Sequence, residues 1–199
     1  MFENDECRKA RLAILIAFLI NGFSVGNFVS RIPDYKYELD ISNGVLGAAL
    51  FCASIGVLAA LRPTSRAAAK YGSGPVVKFS AFTLALAVPF VGLLFNLPWF
   101  LFSLFIYGVL SSIHDLSINA HAAALENRAG KRVMSTFHAM WSIGGLTGGA
   151  IGGLLASLNV SILFHAIGVG IFIVLVAFAT RKWFLPADAD QHVIEKHKK

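Results

Sequence analysis

The sequence is poor in charged residues. Lys, Arg, Asp and Glu make up only 14% of its 199 residues, whereas a soluble domain carries about 25%. By contrast, 56% of the residues are hydrophobic and the mean hydropathy is +0.69. A water-facing surface built from this composition would lack polar groups. The composition therefore excludes a soluble enzyme or a nucleic-acid-binding module and indicates an integral membrane protein.

Cysteine is also scarce. The chain has two, Cys7 near the N-terminus and Cys52 inside an apolar run. Neither has a plausible disulfide partner, and no Cys/His spacing indicates a metal site, so we expect neither a metal nor a cofactor. The formal net charge of +6 does not indicate nucleic acid as a partner, because Lys and Arg gather in the cytoplasmic loops of membrane proteins.

Six apolar runs are long enough to cross a bilayer, which takes about 20 residues. Each must be a helix, because lipid offers no hydrogen-bond partner to a free backbone group. The predicted fold class is therefore all-α, a polytopic membrane protein with six transmembrane helices. The six runs cover residues 12–29, 44–61, 75–95, 98–122, 135–158 and 160–180.

The basic residues predict the orientation. Of the 17 Lys and Arg residues, 15 lie on one side, in the two terminal segments, in the loops after spans two and four and, as Lys78, in the first turn of span three. Only Arg31 and Lys36 lie on the other side. The positive-inside rule then places both termini in the cytoplasm. The predicted organisation is a cytoplasmic N-terminus (1–11), a six-helix bundle (12–180) in the inner cell membrane and a cytoplasmic tail (181–199).

The connections predict how the spans pair. Spans three and four are joined by Asn96 and Leu97 and spans five and six by Asn159, so we expect three tight pairs of consecutive helices. The first external connection, residues 30–43, is longer and is expected to be a loop. The tail after Trp183 is polar, and we expect it to be mobile.

Span four carries polar groups that lipid would not tolerate. At 100° per residue, one narrow stripe contains Ser111, Asp115, Asn119, Ala122 and Glu126. A carboxylate inside a span is costly if it faces lipid, so Asp115 should face another helix or a water-filled cavity. We expect no basic residue in the same layer of the membrane. Asp115 is then either a substrate or proton-coupling site, or a buried carboxyl held for packing. Glu126 could pair with Arg128 or Arg132 at the surface.

A second stripe of span four, about a quarter turn away, contains His114, Ile118 and His121. His121 lies at a similar depth to His138 of span five, so the two imidazoles could meet across the helix pair. Histidine titrates near neutrality, which allows a proton-linked role for His138. A satisfied histidine at a helix interface is the structural alternative.

Span five contains small residues in two rows spaced by four. Such rows let neighbouring helices approach closely, and we assign these glycines to helix packing. Ser142 shares a face with His138, one turn away, and is a further candidate for the solute or proton pathway. The two rows are Gly144, Gly148 and Gly152, and Gly145, Gly149 and Gly153.

Span one is unusually polar for a first span and includes Asn27, followed one turn later by Arg31. These two side chains could line a vestibule on the external side. Alternatively, Arg31 reaches towards the interface and pairs with Asp34.

The chain resembles the N-terminal half of a major facilitator superfamily transporter, and most closely the branch near the fucose permease and related bacterial inner-membrane sugar or drug transporters. The resemblance covers nearly the whole chain. It is carried by SRIPDYKYELDISNGVLGAAL after span one, by KYGSGPVV before span three and by DLSINAHAAALENRAGKRVMSTFHAMWSIGGLTGGAIGG across spans four and five. In KYGSGPVV the usual neighbouring Asp is replaced by Ala69, and the usual basic pair by Gly74 and Pro75.

The resemblance implies two six-helix halves around a central cavity with alternating access. It places Asp115 and Asn119 at that cavity and Asn27 and Arg31 at its outer part. A full transporter has two such halves, and this sequence ends after one. The sequence is then a truncated or split reading frame, or it assembles with a separately encoded half or with itself.

The predicted function is secondary active transport of a small solute, sugar-like or drug-like, coupled to protons. The expected partners are the lipid bilayer, the solute, protons and a second six-helix half, and nucleic acid is not expected. One alternative is a non-transporting membrane subunit or a degenerate remnant of a transporter. Another is an intramembrane enzyme using Ser142 and His138, but no G-x-S-x-G elbow surrounds Ser142, and we do not predict an enzyme.

Overall fold

The computed structural model describes residues 5–187. Within this part of the chain there are seven helices and no strand. Six of the helical segments are long and apolar enough to cross a membrane, and their bounds lie within about ten residues of the predicted spans. The helices are α1 (Asp5–Ser30), α2 (Ile32–Leu39), α3 (Asn43–Tyr71), α4 (Ser73–Gly92), α5 (Leu97–Ala129), α6 (Met134–Ser157) and α7 (Ile162–Thr180).

Local sequence signals set several of the helix starts. The side chains of Ser42, Asn96 and Ser161 each accept a hydrogen bond from the backbone N–H three residues on, at the starts of α3, α5 and α7. This satisfies one of the N–H groups that the first turn of a helix leaves unpaired. The N-terminus of α1 and the C-terminus of α7 lie at the same end of the bundle, which we call the terminal end.

The prediction of a loop at residues 30–43 is wrong over most of this range, because α2 occupies residues 32–39. The helix is held by Tyr35, which is buried and packs its ring against Phe28 of α1 and Phe100 of α5. Burial of this aromatic ring offsets the cost of ordering a short amphipathic helix.

The six spans do not pair in chain order. Of the three expected consecutive pairs, only α4 and α5 pack closely, whereas α6 and α7 touch little. The extensive contacts join α1 to α6, α3 to α5 and α4 to α7. Short links bring helix ends together, but the faces that pack decide which helices lie side by side.

The seam between α1 and α6 is built from small residues on both helices. A Cβ added at Gly144 or Gly148 would overlap the backbone carbonyl of Leu19 or Phe23. From the other side, a Cβ at Gly22 would overlap the carbonyl of Trp141. Side chains here would hold the two backbones apart, so these glycines permit the close approach.

The two glycine rows of α6 have different surroundings. Gly144, Gly148 and Gly152 are buried against α1. Gly145 and Gly149 lie at the edge of the same seam, and a Cβ at Gly153 would meet nothing within 4 Å. The first row thus packs against α1, while the second row has no separate helix against it among the described residues.

Two buried apolar clusters stabilise the bundle, one at each end. The cluster at the terminal end includes Phe184 and Leu185, which follow α7 and are buried. The expectation of a mobile tail after Trp183 is therefore wrong for residues 184–187, because two apolar side chains anchor this segment. Residues 1–4 of the predicted N-terminal segment and 188–199 of the predicted tail lie outside the described residues.

Candidate functional site

The polar side chains on one face of α5 have hydrogen-bond partners inside the bundle. His114 and His121 are fully buried and face α4. The hydroxyl of Ser80 and Nδ1 of His114 are hydrogen-bonded to each other, with the two atoms 3.0 Å apart. His114 thus joins two helices through a hydrogen bond.

His121 extends this arrangement to the segment after α7. The backbone N–H of Leu185 donates to Nε2 of His121 at 3.2 Å. Nε2 is therefore unprotonated, so Nδ1 carries the proton and donates to Oγ of Ser73 at 2.7 Å. The suggested meeting of His121 with His138 does not occur, because His121 faces α4 and Leu185 instead.

The other polar face of α5 carries the predicted Asp115 and Asn119, and both are only partly buried. The amide of Asn119 donates to the backbone carbonyl of Asp115 at 2.8 Å and lies 3.4 Å from its carboxylate. His138 of α6 is near enough to interact electrostatically with the carboxylate. The sequence analysis placed no basic residue in this layer, and the structure adds the imidazole of His138.

His138 and Ser142 lie on an exposed part of α6. The imidazole of His138 meets the ring of Phe18 edge-on, with 5.2 Å between centroids. The hydroxyl of Ser142 donates to the backbone carbonyl of His138 at 3.2 Å, and not to its ring. The structure therefore brings Asp115, Asn119 and His138 together, with Ser142 one turn further along α6.

Asn27 and Arg31 lie elsewhere, at the opposite end of the bundle from the termini. Asn27 is buried, and its amide donates to the carbonyl of Phe23 at 2.8 Å. Its oxygen is left as the acceptor for Nε2–H of His165, at 2.7 Å. This bond joins α1 to α7, and the sequence analysis missed it. The available signal is that His165 is a lone titratable residue inside an otherwise apolar span.

Arg31 is 5% exposed. Its guanidinium donates to the carbonyl of Val160 at 2.7 Å and forms an ion pair with Asp34, also at 2.7 Å. Of the two alternatives drawn from the sequence, the pairing with Asp34 is present. Asn27 and Arg31 thus hold the first and last spans together and lie apart from Asp115.

Glu126 has a structural role that the sequence analysis did not identify. Its carboxylate accepts hydrogen bonds from the backbone N–H groups of Val133 and Met134, at the start of α6. The expected surface pairing with Arg128 or Arg132 is wrong, since Arg128 pairs with Glu6 of α1 at 2.9 Å. A carboxylate at a helix N-terminus interacts favourably with the helix dipole.

Two of the spans are covered poorly by the other helices. In the most apolar stretch of α3 and of α6 only 17% of residues are buried, against 61% in the first span. The uncovered faces carry large apolar side chains, such as Phe51 and Leu58 of α3 and Leu146 of α6. The Asp115 face thus adjoins a helix, α6, that has a broad free surface.

A bundle of six apolar helices with a half-buried polar face on α5 defines a polytopic membrane protein. A sequence model of the Major Facilitator Superfamily matches residues 14–199. The chain belongs to this superfamily.

Three relatives align with most of the chain. The uncharacterized transporter y4wD of Sinorhizobium fredii is 30% identical over 144 residues, 72% of this chain and 38% of the relative. An uncharacterized MFS-type transporter of Yersinia pestis is 25% identical over 89% of this chain and 46% of the relative. The membrane protein MosC of Rhizobium meliloti is 27% identical over 68% of this chain and 33% of the relative. The chain spans less than half the length of each.

Proposed function

We propose that this chain is one six-helix half of a secondary active transporter for a small, sugar-like or drug-like solute, and that transport is coupled to protons. The proposal rests on membership of the superfamily and on the transporter names of two relatives. The observation that carries it is the half-buried Asp115, which has Asn119 on its own helix and His138 on the next.

The chemistry of this group suits coupling. An ionisable side chain inside a span is costly and usually marks a substrate or proton pathway. Asp115 shares no hydrogen bond with another helix among the described residues, so its carboxyl is free to gain or lose a proton as its exposure changes. Asn119 would hold its geometry or bind solute, and Ser142 would extend the polar surface along α6.

The second half is part of the proposal. The uncovered faces of α3 and α6 expose large apolar side chains, and the chain spans less than half of its relatives. A second six-helix unit, encoded separately, by a longer form of this chain or by a second copy, would cover these faces and supply the other wall of the cavity.

Asp115→Asn tests the proposal in the complete assembly, because it keeps the shape and hydrogen bonding of the side chain but cannot titrate. We expect uptake driven by a pH gradient to be lost, while exchange of solute across the membrane is retained. Asp40→Asn is the matched control, since it makes the same change at an exposed carboxyl at the other end of the bundle. Wild-type uptake with wild-type pH dependence in Asp115→Asn would exclude proton coupling through this residue.

We further propose that both termini face the cytoplasm of an inner cell membrane, on the basis of the basic residues at the terminal end. Tyr37→Cys and Lys131→Cys place a label on opposite sides, because Tyr37 is 87% exposed on α2. In a background with Cys7 and Cys52 replaced by Ala, a membrane-impermeant thiol reagent should label the cysteine at 37 only. Labelling at 131 alone would reverse the orientation.

A further inference from the structure

An apolar groove lies between α3, α4 and α5 near the terminal end. Its volume is about 440 Å³, and its lining includes Ala67 and Tyr71 of α3, Phe79 of α4 and Ile113 of α5. Phe79 is 67% exposed, so the groove opens to the outside of the bundle, where lipid chains lie. Its apolar walls suit a hydrocarbon chain.

A buried polar group also lines the groove. Thr64 of α3 is 4% exposed and is one of the lining residues. Its hydroxyl has no hydrogen-bond partner within residues 5–187. A buried hydroxyl without a partner is costly, and an ester oxygen of a bound lipid would accept a hydrogen bond from it.

The mouth of the groove is cationic. Lys70 places its ammonium group 5.0 Å from the centre of the Tyr71 ring, which is part of the lining. Arg66 and Lys78 lie near it in sequence, and residues 41–114 contain no Asp or Glu at all. Within the described part of the chain none of these three cations forms an ion pair. The described residues therefore hold no ion-pair partner for these three cations.

We propose that this groove binds an anionic phospholipid, with one acyl chain between α3 and α4 and the phosphate headgroup on Lys70. Basic pockets between transmembrane helices bind anionic headgroups, and the ester region would reach the hydroxyl of Thr64. The apolar lining, the unpartnered hydroxyl and the unbalanced cations each match one part of the lipid.

The groove is separate from the surface that a second half would cover. Ala67 lies nine residues after Leu58, which is about 180° around the helix at 100° per residue. The uncovered face of α3, which includes Leu58, therefore points away from the groove. The lipid site does not depend on the proposed function, and both can be tested independently.

The test uses the purified full chain in detergent, titrated with dioleoyl phosphatidylglycerol and, separately, with dioleoyl phosphatidylcholine. Native mass spectrometry counts the bound lipids and reports the oligomeric state. We expect the wild type to prefer phosphatidylglycerol. Lys70→Gln should weaken its binding about five-fold and leave phosphatidylcholine binding unchanged. Lys182→Gln, which removes an exposed cation after α7, should change neither.

Two further variants test the groove itself. Ala67→Phe fills it and should reduce binding of both lipids. Thr64→Val keeps the side-chain shape without the hydroxyl and should weaken both by about three-fold. It serves as the second test if Ala67→Phe fails to fold, which a melting curve would reveal.

Several outcomes would overturn the proposal. Equal binding of the two lipids by the wild type would show that no site for an anionic headgroup exists. Equal losses in Lys70→Gln and Lys182→Gln would show that binding depends only on the net charge of the protein. Displacement of the lipid by glycerol phosphate at the same concentration would show that the ligand is a free phosphate. A change of oligomeric state in Ala67→Phe without a change in lipid binding would show that the groove holds another protein chain.

Discussion

The two polar faces of α5 differ in where their partners lie. On one face, His114 and His121 bond to other elements of the fold and are fully buried. On the other, Asp115 and Asn119 bond to each other along one helix and stay partly exposed. A polar group in a membrane protein must find a partner. The first face finds its partners on other elements of the fold, whereas Asp115 and Asn119 have no hydrogen bond to another helix among the described residues.

The two glycine rows of α6 show the same contrast. Gly148 packs against the backbone of α1, whereas Gly153 has open space around it. Identical residue types five positions apart thus have different surroundings, because only one row faces a neighbouring helix. Paired substitutions on the packed and open sides of α5 and α6 test this contrast.

The largest effect is expected at the packed glycine row. Gly148→Leu would drive a side chain into the carbonyl of Phe23 and the amide of Asn27, at a cost of at least about 3 kcal/mol. Gly153→Leu should change stability by less than about 0.5 kcal/mol. Both variants gain the same helix propensity, so their difference in thermal unfolding in detergent isolates packing. Equal melting temperatures would show that the seam is absent.

A smaller loss is expected on the packed face of α5. His121→Leu leaves the N–H of Leu185 and the hydroxyl of Ser73 without this partner, at a cost of roughly 1–3 kcal/mol. Asn119→Leu, on the open face, removes a bond within one helix and should cost less than about 1 kcal/mol. Unfolding followed by circular dichroism would compare the two. The comparison of the faces fails if Asn119→Leu is the more destabilising.

The smallest effect is expected where α5 meets α6. Glu126→Ala removes the acceptor for two backbone N–H groups at the start of α6 and should cost about 1 kcal/mol, as loss of a helix cap does. Arg128→Ala breaks a half-exposed ion pair with Glu6, worth roughly a few tenths of a kcal/mol. Denaturant titration of both variants measures the difference. A greater loss in Arg128→Ala would contradict the capping role of Glu126.

Much of the fold could be predicted from composition and hydropathy. The six long apolar helices lie where the sequence predicts them, to within about ten residues at their ends, because a bilayer demands long apolar helices. The short helix α2 could not be predicted with the same rules, since it is amphipathic and stable only because Tyr35 is buried by Phe28 and Phe100. The anchored segment at Leu185 was missed for the same reason, because its hydrogen bond to His121 joins residues 64 positions apart.

The candidate site was predicted in part. Asp115 and Asn119 stand out in the sequence because a carboxyl and an amide inside a span are rare. His138 lies beside them, whereas His121 and Asn27 do not. This arrangement depends on how α1, α5 and α6 are rotated about their axes. A helical stripe specifies which residues share a face, but not which neighbour that face meets.

The membrane class, the number of spans and their approximate positions follow from the amino-acid sequence alone. These features depend on local hydrophobicity, because a bilayer accepts any helix that is apolar and long enough to cross it. The packing of α1 on α6 and of α4 on α7 could be learned only from the three-dimensional arrangement. The same holds for the hydrogen bonds that His114 and His121 form with other elements, and for the roles of Arg31 and Glu126 in joining helices. Those outcomes depend on the orientation of each helix about its axis, and that orientation is set by contacts between residues distant in the chain.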